Sequence, residues 1–174
     1  RTLIPIFGAL AAILLGVGVY LSFFGSPPDY QQGETIRIMY VHVPAAYMAM
    51  ALYAALAVAS FVYFVWRHAL ADTAAEVIAP IGAVFTVLAL FTGSLWGKPM
   101  WGTWWEWDAR MTSVLVLFFL YLGYVALWQV MEDDTKAAKA SSILAMVGVI
   151  NVPIIKFSVD WWTTLHQPAS IIRM

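Results

Sequence analysis

The sequence predicts an all-α integral membrane protein: a helical bundle of five complete transmembrane spans, with a sixth beginning at the C-terminal end. Two observations carry that fold class. Of 174 residues, 63% are hydrophobic and only 11% charged, with a mean hydropathy of +0.81, whereas soluble domains are ~45–50% apolar. Five runs also reach the about 20 apolar residues that a helix needs to cross ~30 Å of hydrocarbon with its backbone polar groups satisfied internally.

The first run extends from about Leu3 to Phe24 and ends at Gly25-Ser26-Pro27-Pro28, where proline removes the amide hydrogen a continuing helix would use. It is too long for a signal-peptide core and lacks both a basic leader beyond Arg1 and an A-x-A site, so it reads as a retained span. The second opens near Pro44 and continues to Trp66, and the third runs from Val77 to Trp96 with Pro80 in its first turn. Proline at the start of a helix is expected in both. The fourth, about Met111 to Met131, is closed by the charged turn Glu132-Asp133-Asp134-Thr135-Lys136. The fifth, about Ala140 to Val159, is interrupted by Asn151, Pro153 and Lys156, which predicts a kinked helix whose polar groups face protein rather than lipid. Beyond Asp160-Trp161-Trp162, a new apolar start at Ile171-Ile172 opens the expected sixth span. The whole chain, 1–174, reads as one polytopic membrane domain carrying a Trp-rich loop at 96–110.

Nine Lys and Arg against ten Asp and Glu leave a net charge of -1, which gives no basic field for a nucleic acid. With no cysteine, the chain has no disulfide, no thiolate metal site and no C-x-x-C-H haem attachment. Basic residues divide four to five between the two faces, so charge does not set the orientation. There is no Walker motif, so this chain does not hydrolyse ATP.

Counting spans by parity puts the loops after the first, third and fifth on one face, and nearly all the unusual chemistry lies there. His42 and His166 stand in matching contexts, His42-Val43-Pro44-Ala45 and His166-Gln167-Pro168-Ala169, each expected just before a helix enters the membrane. A helix N-terminal dipole disfavours imidazolium, which would keep both rings neutral and able to bind a metal. Two histidines make a poor tetrahedral zinc site but suffice for six-coordinate haem iron. His68, on the other face, reads as a solvated loop residue. Between the two histidines, Trp96, Trp101, Trp104, Trp105 and Trp107 put five indoles in twelve positions. The spacing of Trp101, Trp104, Trp105 and Asp108 predicts a short surface helix with three indoles on one side. An aromatic belt at the headgroups accounts for Trp66, Trp128, Trp161 and Trp162. Five in one loop, set among glycines, fit a platform for a large flat ligand such as haem, with Arg110, Lys98 or Arg37 as cations for its propionates.

These residues resemble a known family. The stretch WGKPMWGTWWEWDARMTS from Trp96 to Ser113 is similar to the WWD motif of the haem-handling membrane proteins of cytochrome c biogenesis. The short chain, the single motif and the flanking His42 and His166 make it similar to the CcmC family, the haem exporter proteins C, rather than to the longer CcmF or CcsA-type members. Asn151 to Lys156 and Trp161 to Gln167 share the likeness. It implies six spans in the bacterial inner membrane, with both termini cytoplasmic and the Trp-rich loop periplasmic; this chain departs in having five complete spans. It also implies haem b bound non-covalently, His42 and His166 as axial ligands, and Trp96, Trp101, Trp104, Trp105, Trp107 and Asp108 against the haem edge. The implied partners are the ABC transporter pair CcmA and CcmB, the small CcmD, and the haem chaperone CcmE, on which a histidine becomes covalently attached to haem.

Two other classes stay open on the residues alone. One is a bis-histidine cytochrome b that carries electrons, although three histidines cannot ligate two haems. The other is a haem-free transporter component in which Asn151, Pro153 and Lys156 line a path.

Overall fold

The computed structural model describes residues 3–166. The expected start of a sixth span at Ile171, the Gln167-Pro168-Ala169 context of His166, and Arg173 all lie outside the described residues. Six α-helices make up five hydrophobic rods: α1 (Leu3–Tyr20), α2 (Met39–Trp66), α3 (Ala69–Trp101), α4 (Ala109–Val130), and the broken pair α5 (Asp134–Gly148) and α6 (Asn151–Trp161). Five helical stretches are long and apolar enough to cross a membrane, and the described residues form no strand.

Helix α1 is apolar on every side and has no buried residue, as suits a helix whose surroundings are lipid. It widens into a π-helical turn at Leu21–Gly25, where the Ser22 hydroxyl donates to Gly18 O and the Ser26 hydroxyl to Ser22 O. Asp29 then closes the loop by accepting from the amides of Gln31 and Gln32. Gly33 follows at φ +57°, a left-handed value that favours glycine. A short 3₁₀ turn, Glu34–Ile38, leads into α2.

The ends of three spans differ from the sequence reading, the fifth opening at Asp134, within the expected charged turn, rather than at about Ala140. Pro44 is the sixth residue of α2 rather than its opening, because the 3₁₀ turn and Met39 start the helix earlier. Pro80 sits deep inside α3, which begins at Ala69 and ends at Trp101 rather than running from Val77 to Trp96. Hydropathy marks where hydrocarbon ends, not where the helix does. The opening turn of α3 carries Asp72, which favours a helix N-terminus. At 1.5 Å per residue, 33 residues make α3 about 50 Å long, well beyond the hydrocarbon layer.

The expected kink in the fifth span falls at Val149 and Ile150, a turn that keeps right-handed helical dihedrals between two helices. Helix α5 stops at Gly148 and α6 restarts at Asn151, with Pro153 in its first turn, where a missing amide hydrogen costs nothing. The Asn151 amide donates to Ser113 O at 2.8 Å and pins α6 to α4.

At mid-bundle, Tyr53, Leu56, Leu117, Tyr121 and Tyr124 are wholly or almost wholly buried among Ala49, Ala75, Ala79 and Ala145. Small residues admit these large rings, as membrane packing requires. A side chain at Gly82 would collide with Tyr121, and one at Gly148 with Tyr53. The Tyr121 hydroxyl donates to Ala49 O at 2.8 Å, and its ring meets Tyr53 edge-on at 4.9 Å. This core holds α2, α3 and α4 in register beneath a cavity at one end of the bundle.

Candidate functional site

The cavity has a volume of about 420 Å³, within the ~300–1,000 Å³ range of small-molecule sites. His42 and His166 both line it, with Trp96, Arg110 and Lys156. Its described lining contains no Asp or Glu.

His42 lies within the first turn of α2 rather than in a loop before it. Its Nδ1 is 3.0 Å from Ala89 O and 3.1 Å from the Thr92 hydroxyl. That hydroxyl already donates to Leu88 O at 2.6 Å, so it can only accept from the ring. Both partners therefore fix the proton on Nδ1. Gly93 makes the approach possible, since a Cβ there would stand 3.0 Å from His42 Cε1.

His166 is held in the same sense by another device. Its Nδ1 lies 2.7 Å from Asp108 Oδ2, with the Asp108 side chain only 3% exposed. Asp108 Oδ2 also accepts from the Thr164 hydroxyl, while Oδ1 accepts from the Met111 amide at 2.8 Å and caps α4. Burial pushes the Asp108 carboxyl up, but hydrogen bonds from Thr164, Met111 and His166, with the attraction of His166, bring it below its ordinary value. For His166, burial lowers the imidazole by more than the neighbouring carboxylate raises it. Burial thus favours the neutral ring, with Nδ1 donating to the Asp108 carboxylate. Neither histidine's Nε2 has a hydrogen-bond partner among the described residues, and an unprotonated Nε2 is a metal ligand.

The tryptophan stretch is divided. Helix α3 continues through Trp101, Gly102 reverses the chain at φ +79°, and the segment from Thr103 to Asp108 is irregular, so the predicted short helix does not form. The side chain of Thr103 satisfies the turn instead, bonding both the amide and the carbonyl of Trp105. Trp96 is buried, lines the cavity and donates from Nε1 to Gln32 Oε1 at 3.1 Å. Trp101 packs edge-on against Trp96 at 5.2 Å and against the His166 ring at 4.7 Å. Trp105 meets Trp107 at 5.3 Å. Trp104 and Trp107 are 54% and 73% exposed, and neither lines the cavity.

The cations divide as well. Arg110 lines the cavity and its buried Nε has no partner. Arg37 does not line the cavity; it pairs with Glu34 at 2.8 Å and donates to the carbonyls of Phe23 and Ser26, while its buried Nε, like that of Arg110, has no partner. Lys98 donates to Gly102 O and covers the Trp104 ring. His68 is exposed at the N-terminus of α3, the opposite end from Trp96. Among the described residues no three His, Asp or Glu converge as a metal cage. Thr92, Gly93, Gln32 and Thr164 were not picked out by sequence reading. Each acts on a residue far along the chain or by leaving space, and only the H-x-P and WWD landmarks hinted at where to look.

Comparison with known proteins gives a consistent result. The family model described as "CcmC: Heme exporter protein C" matches residues 1–174. A Heme exporter protein C of Bradyrhizobium diazoefficiens is 58% identical over 171 residues, covering 98% of this chain and 65% of its own length. That of Escherichia coli is 54% identical over 164 residues, covering 94% and 67%. A Marchantia polymorpha relative whose name includes "cytochrome c biosynthesis ccmC-like mitochondrial protein" is 51% identical, covering 91% and 67%. The chain thus spans about two thirds of the length of the curated relatives it matches.

Proposed function

The chain belongs to the CcmC family of heme exporter proteins C, membrane components of cytochrome c maturation, and on that footing we propose that it holds haem b non-covalently between His42 and His166. The single observation that carries this reading is that both imidazoles line one cavity, each with Nδ1 committed to an acceptor and Nε2 without one. A ligating histidine oriented through its other nitrogen is the usual arrangement at a metal. The surroundings fit the rest of a haem. Trp96 and the methionines of the lining offer apolar surface to the ring, and the unpartnered Arg110 guanidinium suits a propionate. Haem, the cargo, would supply the iron for the two nitrogens; the chain's part is to bind, orient and release it.

In this reading the site lies at the periplasmic face of the bacterial inner membrane, and the exposed Trp104 and Trp107 form the rim against which the chaperone CcmE docks to receive haem. CcmA and CcmB, with CcmD, complete the complex, and ATP hydrolysis belongs to the transporter subunits. Handing haem over requires an axial nitrogen to let go, and His166 is the candidate, since it is carried on the irregular segment after α6 while His42 is built into α2. Ligands for a single haem at one end of the bundle do not make a path for electrons across it. The test is the visible spectrum of the purified full-length protein, compared with His42→Ala and His166→Ala. Loss or change of the Soret band in each is expected; unchanged spectra in both would defeat the proposal.

A further inference from the structure

Lys156 lines the same cavity as Arg110 and the two histidines, whereas the sequence alone gave it a place only in an interrupted helix or along the path of a haem-free transporter. A lysine within a membrane-spanning stretch is costly and is retained where it meets a partner or a polar cavity. Lys156 makes no hydrogen bond or ion pair with any described residue; the described ion pairs are Arg37 with Glu34, Lys136 with Asp133, and His166 with Asp108. Its place is not an accident of a loose helix. Asn151 ties the start of α6 to α4, Ile155 is buried in the core beside it, and Ser158 bonds back to Ile155 O. The cavity therefore carries two cations on different helices, α4 and α6, and no described carboxylate in its lining.

Asp108 and Asp160 lie near enough to act on Arg110 but form no ion pair with it or with Lys156, so both cations keep donors free for anionic groups in the cavity. We infer that Lys156 is a second anion-binding post, separate from Arg110, so that the cavity recognises a flat ligand through two carboxylates at once. This rests on the haem reading of the cavity and deepens it: Lys156 would set the preference for a dicarboxylate tetrapyrrole over an esterified one.

The test measures binding of iron protoporphyrin IX and of its dimethyl ester to the full-length protein in detergent, for wild type, Lys156→Met and Lys156→Arg. Wild type is expected to prefer the free acid. Lys156→Met should weaken the free acid about tenfold, roughly one charge-assisted contact, while changing the ester less than about twofold and leaving the Soret position in place. Lys156→Arg should restore most of the preference. Equal weakening of both ligands would mark Lys156 as merely structural, and no change in either would mark it as solvated at the membrane surface; both overturn the inference. Failure of the haem reading shows separately, as a wild-type spectrum indifferent to His42→Ala and His166→Ala.

Discussion

Asp108 Oδ2 stands 2.7 Å from His166 Nδ1 while Oδ1 of the same carboxylate caps α4 through the Met111 amide. One buried side chain thus starts a helix and fixes the tautomer of an imidazole 58 residues away in sequence. Asn is as good an N-cap as Asp, so Asp108→Asn separates the two tasks. It should keep the cap of α4 but lose the stability that the ionised carboxylate gains from Thr164 and His166, and lower haem affinity about 10–100-fold, the usual cost of losing the group that orients a ligand. Asp108→Ala should lose the same affinity and about 1 kcal/mol of stability besides. Thermal melts and haem titration of the two variants check this.

The fit of His42 depends on a missing side chain. Gly93→Ala would put a Cβ 3.0 Å from His42 Cε1, tight enough to push the ring a few tenths of an ångström out of its seat against Ala89 O and Thr92. Haem binding should weaken while the fold persists, and Gly93→Val should weaken it further. Thr92→Val leaves the Ala89 carbonyl in place and should cost only a few-fold. Titration of haem into each variant, with circular dichroism as a control for folding, reads the series.

Acid should destabilise the protein in a defined direction. Burial holds the folded-state value of His166 below its ordinary one, so as pH falls the unfolded chain takes up that proton first. Stability contributed by neutral His166 is full above about pH 6.5 and declines as pH drops through the folded-state value. Asp108 has the depressed carboxylate value and adds a loss at lower pH, beginning near the ordinary Asp range of about 4. Thermal midpoints measured from pH 8 to pH 4 should be flat, then fall, and His166→Gln should remove the first part of the fall. A rise in stability on acidification would contradict the geometry.

The indoles should sort into two functions. Trp96→Ala opens the cavity wall and should reduce bound haem. Trp104→Ala with Trp107→Ala removes only exposed rings and should leave the haem spectrum intact while slowing transfer to CcmE. Spectra alongside a transfer assay would distinguish the sets, and a double variant that loses haem would count against an outward role.

The five hydrophobic rods and the interruption at Asn151 and Pro153 were legible because burial in lipid leaves a long apolar run, and a proline or an amide within one has few places to go. Helix ends were less legible. Pro44 and Pro80 look like openings, but a helix already supported by its neighbours tolerates an internal proline at the cost of one bond. The pairing of two histidines at one end followed from span parity alone. What tautomer each adopts did not: His42 depends on Thr92 and Ala89, some fifty residues away, and on the empty space at Gly93. Periodicity misread the tryptophan stretch because it cannot see that α3 keeps going to Trp101 and that Gly102 then turns the chain.

One continuous helix carries Thr92, Gly93 and Trp96, so the hydroxyl that orients His42, the gap that admits its ring and the indole of the cavity wall share a single rigid support. Any displacement of α3 would carry all three together.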